Sequence, residues 1–194
     1  MPSDERQNKW QQRYLDTEAT RPQPAPVLAD NAFLLPRSGR ALDLACGRGG
    51  NALLLAELGL QTEGWDYAPA AIEALNQLAQ AEGLPLSGVV RDVEQQPPEP
   101  ESFDVIVVSN FLARQIVPNL IAALRPGGLI FYQTFTHDAV SEGGPGNPAF
   151  RLDDNELLQL FAGLRVLSYL ELGSIGDVTR GMRNQALFVG CKSR

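Results

Sequence analysis

Residues Leu42 to Gly50 read L-D-L-A-C-G-R-G-G. A short apolar run holds one carboxylate, Asp43, and then breaks into Gly47, Gly49 and Gly50. The run reads as a buried strand, and NALLLAELG (51–59) as a helix closed by Gly59. Glycine at a strand-to-helix turn admits positive φ and lets a ligand approach the main chain closely. The free N–H groups at the helix start then face whatever binds.

Outward from this turn the same alternation continues. RALDLA (40–45), QTEGWD (61–66) and LSGVVRD (86–92) read as strands, separated by helices at 51–59 and PAAIEALNQLAQAEG (69–83). VEQQPPEPES (93–102) is a proline-rich loop, and FDVIVVSN (103–110) is a strand with the nearly continuous apolar run of a parallel sheet centre. ARQIVPNLIAALRPGG (113–128) reads as a helix, with Pro118 either in its first turn or kinking it. GLIFYQTF (128–135) is a strand, residues 136–152 a long Gly- and Pro-containing loop, and DDNELLQLFAGL (153–164) a helix. RVLSYLEL (165–172) and QALFVGCK (185–192) have no helix between them and pair as a hairpin. Upstream, residues 4–16 suggest a short amphipathic helix, RPQPAP (21–26) an extended link, and VLADNAFLL (27–35) a helix ended by Pro36.

The expected fold class is α/β: an open, mostly parallel seven-stranded sheet with helices on both faces and a C-terminal antiparallel hairpin strand. One structural domain is expected, with an N-terminal helical cap segment (1–36) ahead of the main body (37–194). Such sheets bind ligands beyond the carboxyl ends of their strands. Those ends are Asp43–Gly50, Asp66–Tyr67, Asp92–Val93, Asn110–Phe111 and Thr134–His137.

Composition narrows the function classes. The 194 residues are 44% hydrophobic and 20% charged, ordinary for a folded soluble chain. Asp104 and Ser109 interrupt the greasiest segments, so no run is long enough to span a bilayer. The polar start MPSDERQNKW does not read as a signal or transit peptide, and a cytoplasmic location is expected. Cys46 and Cys191 lack metal-ligand spacing and suggest no disulfide framework. A net charge of −7 disfavours a nucleic-acid partner. The basic cluster Arg180, Arg183, Lys192 and Arg194 reads as a solvated tail. The expected partner is a small-molecule substrate, with no membrane; oligomeric state is left open.

The glycines alone do not choose a ligand. Gly47-Arg48-Gly49-Gly50-Asn51-Ala52 satisfies G-x-G-x-x-A, and Asp66 follows near the ribose-binding acid of a dinucleotide fingerprint. Asp43 separates the classes, because a carboxylate just ahead of the loop opposes a pyrophosphate and favours an ammonium or sulfonium. S-adenosylmethionine carries both cations, with a ribose and an adenine but no phosphate. Asp43 also suits a second role, hydrogen-bonding the loop's own N–H groups. Asp66 can accept both ribose hydroxyls or cap the next helix. Asp92 can accept from the adenine amino group, with the Val93 N–H nearby, or simply form a turn.

With these residues in place, the chain resembles the class I, seven-stranded S-adenosylmethionine-dependent methyltransferases. ALDLACGRGGNALLLAELG is similar to that family's first motif and TEGWDYAPAAIEAL to its second. RDV is similar to the third, FDVIVVSNFL to the fourth, and LRPGGLIFYQTF to the fifth and sixth. The resemblance covers about residues 40–192 and is strongest to the small bacterial tellurite and thiopurine methyltransferase group. W-Q-Q-R-Y (10–14) is similar to the N-terminal helix that covers the cofactor there, although Trp10 and Tyr14 equally suit plain helix packing. The resemblance implies S-adenosylmethionine as cofactor, held by Arg13, Tyr14, Asp43, Ala45, Gly47, Gly49, Asn51, Asp66, Tyr67, Asp92, Val93 and Asn110. GSIGDVTRGMRNQ, ahead of the last strand, lacks the His-Arg pair of tellurite methyltransferases. S-N-F-L after the fourth strand is not the N-P-P-aromatic signature of enzymes that methylate amino groups of nucleic acids.

His137, the single histidine, follows the fifth strand and is the candidate catalytic base. The loop 136–150 is the candidate lid or wall of an acceptor pocket. Phe111, Tyr132 and Phe135 are candidate apolar walls or core residues. Arg114, Arg180 and Arg183 either hold an anionic acceptor or form ordinary surface pairs.

Overall fold

Side chains along the central strands alternate between two apolar faces, so the sheet carries a core on each side. The structure, a computed structural model, describes residues 11–12 and 20–193. Seven strands form one sheet: β1 (Arg40–Leu44), β2 (Gln61–Asp66), β3 (Leu86–Val90), β4 (Phe103–Ser109), β5 (Leu124–Phe135), β6 (Arg165–Leu170) and β7 (Gln185–Cys191). Their order is β3-β2-β1-β4-β5-β7-β6; β1 to β5 pair in parallel, and β7 runs antiparallel to both β5 and β6. The expected seven-stranded mixed sheet with its terminal hairpin is therefore the observed one.

The helices are α1 (Pro26–Ala29), α2 (Gly50–Glu57), α3 (Pro69–Glu82), α4 (Val117–Ala123) and α5 (Glu156–Leu160). Leu42, Ile106, Ile130 and Phe188 face one side and pack with Leu120 and Leu157 of α4 and α5. Ala41, Val105, Phe131 and Val189 face the other and pack with Val27, Leu28 and Leu55 of α1 and α2. The strand order reverses between β1 and β4, and sheets of this kind bind ligands at the carboxyl ends of such a switch point.

Three helices differ from expectation, β5 begins at Leu124 instead of Gly128, and β3 ends at Val90 instead of Asp92. The helix expected over 27–35 stops at Ala29 and resumes as a 3₁₀ turn, Ala32–Leu34. Asn31 Nδ2 donates to the Val27 carbonyl at 3.0 Å, occupying the acceptor that a continuing helix would use, and the Asn31 N–H turns to Leu28 instead. The helix expected over 113–128 is a 3₁₀ turn (Arg114–Ile116) followed by α4, with Pro118 in the first turn. It ends at Ala123 because Leu124 is already extended and paired with Phe103. The third, expected over 153–164, is reduced to α5. The helix expected at 4–16 lies outside the described residues except for Gln11 and Gln12, which are helical.

Candidate functional site

The carboxylate inside β1 is wholly buried and serves the start of α2. Asp43 Oδ1 accepts from Asn51 Nδ2 at 3.1 Å, and Oδ2 accepts from the Ala52 N–H at 3.1 Å. Gly49, the N-cap of α2, has no side chain to meet those orphan donors, so a strand residue does it instead. Burial pushes the Asp43 carboxyl up to about 7 against these hydrogen bonds. Gly49 sits at φ 81°, and a Cβ there would lie 2.3 Å from Leu75 Cδ1 of α3. The positive φ favours glycine there, and any side chain would also have to displace Leu75.

Asp66, at the end of β2, accepts from the Gly47 N–H at 2.8 Å and the Ala68 N–H at 2.9 Å. It ties the glycine turn to the start of α3, and burial raises its carboxyl above the ordinary range. Asp92, half-buried beside buried Val93, accepts from the Glu94 N–H at 3.1 Å and opens the proline loop. All three acids thus brace main-chain N–H groups. Tyr67 is half-buried between Asp66 and Ala68. Ala45 and Asn110 directly follow β1 and β4 in the left-handed region, both at φ 55°. That conformation is costly for alanine and tolerated by asparagine, and such residues cluster at functional sites.

Residues 20–27 cross the glycine turn as a strap. Arg48 donates to the Thr20 carbonyl at 2.6 Å, and a Cβ on Gly50 would lie 2.1 Å from the Gln23 carbonyl oxygen. The Ala25 N–H donates to Asn51 Oδ1 at 2.8 Å, and the Val27 N–H to Gln133 Oε1 at 2.9 Å. Arg21 pairs with Glu57 of α2 and Glu82 of α3. Gln11 Oε1 accepts from the Ala70 N–H at the start of α3. Arg13 and Tyr14 lie outside the described residues. Asn51 also donates to Ser109 Oγ at 3.0 Å, joining α2 to the end of β4.

Gln133, Gln185, Ser109 and the strap were not expected at this end of the sheet. The available signal was a glutamine inside the apolar GLIFYQTF and another opening QALFVG. Gln133 donates to Gln185, and Gln185 Nε2 donates to Asn110 Oδ1 at 2.7 Å.

Beyond β5, two guanidinium groups hold the 136–152 loop. Arg151 donates to the carbonyls of Thr136, Gly143 and Pro145. Arg114 pairs with Glu156 and donates to the carbonyls of Ala149 and Arg151, keeping the Glu156 carboxyl below its ordinary range. Arg183 donates to five carbonyls: those of Leu172, Gly173, Ile175, Asp177 and Arg180. Arg114 and Arg183 are therefore committed within the fold, while Arg180 is exposed. His137 is fixed by its main-chain N–H on the Leu152 carbonyl; its ring is partly exposed, with Nε2 3.9 Å from Asp153 Oδ1. Tyr132 is core, its hydroxyl donating to the Phe111 carbonyl at 2.9 Å, whereas Phe111 and Phe135 are partly buried. Among the described residues, no helix is long and apolar enough to cross a membrane, and no three His, Cys, Asp or Glu side chains are grouped for a metal ion.

A parallel sheet that reverses between β1 and β4, a glycine turn braced by acids, and an antiparallel seventh strand are features the chain shares with the class I S-adenosylmethionine-dependent methyltransferases. Residues 41–128 match the family model described as a methyltransferase domain. The chain is similar to the probable S-adenosyl-L-methionine-dependent methyltransferase TehB of Haemophilus influenzae, at 30% identity over 68% of this chain. The crystal structure of TehB matches with a TM-score of 0.72 at 22% identity, covering 96% of this chain and 67% of that one. Over the same 68% share, the chain is 33% identical to a protein named Hemagglutinin 1 from Eikenella corrodens. A further likeness, with TM-score 0.66 and 26% identity over 89% of this chain and 83% of the other, is to a protein solved in work on conversion of a disulfide bond into a thioacetal group during echinomycin biosynthesis. The chain spans about half the length of the curated relatives it matches, 48% of TehB and 46% of Hemagglutinin 1.

Proposed function

We propose that this chain transfers a methyl group from S-adenosylmethionine to a small-molecule acceptor. The observation that carries this reading is the pair of buried carboxylates, Asp43 and Asp66, that brace the glycine turn from β1 and β2. A pyrophosphate at the turn would meet two buried acidic groups, whereas a ligand bearing an ammonium and a sulfonium is favoured by them. Asp43, being wholly buried, acts by orienting Asn51 and the start of α2, without contact. Asp66 accepts from the ribose with the acceptor capacity its backbone donors leave, and Asp92 with Val93 receives the adenine. Ala45, Gly47, Gly49, Asn51, Tyr67 and Asn110 complete the walls. Arg13 and Tyr14 close the pocket from the cap segment (1–36), which belongs to one structural domain with the main body (37–194). We place the protein in the cytoplasm.

When bound, S-adenosylmethionine supplies an activated methyl on a sulfonium, open to in-line displacement by an acceptor lone pair. The chain's own task is then alignment and exclusion of water, which supply most of the acceleration. His137 takes a proton from acceptors that must lose one. Calorimetry with S-adenosylhomocysteine and with NAD tests the reading, with Asp66→Asn expected to weaken the former by about tenfold. Tight NAD binding without any response to S-adenosylhomocysteine overturns it.

A further inference from the structure

The buried glutamines of β5 and β7 carry a direction. A main-chain N–H can only donate, and that of Val27 donates to Gln133 Oε1 at 2.9 Å. The Gln133 Nε2 must therefore face the other way, where it donates to Gln185 Oε1. Gln185 Nε2 in turn donates to Asn110 Oδ1 at 2.7 Å. Each carboxamide has one accepting end and one donating end, so the polarity set at Val27 passes from amide to amide. Gln133 is 3% exposed and Gln185 8%, so neither can reverse without setting like groups against each other away from water.

Asn110 is the exposed end of this relay. Its Oδ1 faces inward to Gln185, so its Nδ2 faces outward at the end of β4, beside the Ser109 that Asn51 ties to α2. Arg114 and Arg183 are committed to Glu156 and to carbonyls, so Asn110 is the oriented donor at the tip of β4.

We propose that Asn110 Nδ2 is a hydrogen-bond donor to the methyl acceptor, which therefore presents a lone-pair-bearing oxygen or sulfur there: a carboxylate, phenolate or thiolate. An acceptor offering an N–H at that point would meet donor against donor. This inference rests on the methyl-transfer reading above. It also ties acceptor choice to the strap, because the relay has its direction only while Val27 is seated on Gln133.

Two variants reverse the relay while keeping it filled. In Gln185→Glu the carboxylate accepts from both Gln133 Nε2 and Asn110 Nδ2, so Asn110 turns its Oδ1 outward. In Gln133→Glu the carboxylate accepts from the Val27 N–H and from Gln185 Nε2, with the same result at Asn110. The readout is water exchange of the Asn110 side-chain amide in ¹⁵N-labelled full-length chain, its resonance identified by its loss in Asn110→Asp. Wild type should exchange as an exposed amide, and either folded variant should slow that exchange by about tenfold or more. An Asn110 amide already protected in wild type, or a rate unchanged in a folded variant, overturns the proposal; if neither variant folds, the wild-type rate decides it.

A second arm supplies S-adenosylmethionine with benzoate, 4-nitrophenol and thiophenol, against aniline and benzylamine. Methylation of the oxygen and sulfur acceptors, with loss of that preference in Asn110→Asp, is expected; methylation of the amines alone overturns the proposal. Failure to bind S-adenosylhomocysteine, or silence across the whole panel, counts against the methyl-transfer reading and is separate from the exchange result.

Discussion

Replacing Gly50 with alanine tests whether the strap is part of the site. Gly50 is the first residue of α2, where alanine suits the helix and on its own would add up to about 1 kcal/mol of stability. The added Cβ, however, would lie 2.1 Å from the Gln23 carbonyl oxygen and 2.6 Å from its carbon. Normal carbon contacts are about 3.5 Å, so the strap backbone must retreat by roughly 1 Å. That retreat breaks the Ala25 bond to Asn51 and the Val27 bond to Gln133. Losing two such bonds and leaving buried acceptors unpaired costs about 2–4 kcal/mol. The net loss is about 2 kcal/mol, a Tm lower by about 4–8 °C for a chain of this size. Binding of S-adenosylhomocysteine should weaken by about tenfold, because the covered state is then a minor population. Thermal unfolding and calorimetry of Gly50→Ala measure both. A Tm equal to or above wild type, with unchanged affinity, would show that the strap contributes nothing and refute the reasoning.

Other outcomes follow from the same geometry. Burial raises the Asp43 carboxyl from 3.8 to about 7, so the folded chain keeps a proton that the unfolded chain releases. Its contribution to stability is full below about pH 4, declines as pH rises and is lost above about pH 7, so the advantage of wild type over Asp43→Asn in urea should shrink between about pH 5 and pH 8. A difference that stays constant over that range contradicts the assignment. Arg114→Leu should speed proteolysis within residues 138–150 several-fold, as the carbonyls of Ala149 and Arg151 lose their donor. The Arg114 side chain is 38% exposed, so global stability should fall by no more than about 1 kcal/mol, and intact resistance to protease would show that the loop is held by other contacts. His137→Ala should lower turnover on proton-losing acceptors by about 100-fold; unchanged turnover excludes His137 as the base.

The alternation of strand and helix was legible because apolar periodicity is local: FDVIVVS shows its burial on both faces within one segment. The acids near the carboxyl ends were legible for the same reason: Asp43 lies within β1, Asp66 ends β2 and Asp92 follows β3. What periodicity did not carry was competition for a single acceptor. Asn31 cut α1 short by taking the Val27 carbonyl, and Leu124 left α4 early because β4 offered it a partner. The dual reading of Asp43 also needed the fold, because only the position of α2 shows that its carboxylate meets Ala52 and Asn51.

By itself, then, the sequence determined a parallel sheet, a glycine turn after its first strand, and acids in or beside three successive strands. Those follow from residue type and spacing, which steric limits and burial translate directly into strands, turns and caps. The tertiary structure decided the strap and the amide relay. Val27 meets Gln133 from 106 residues away, and Gln133 meets Gln185 across another 52. An amide has no direction of its own until its partners assign one, and here the partners come from three distant segments that only folding brings together.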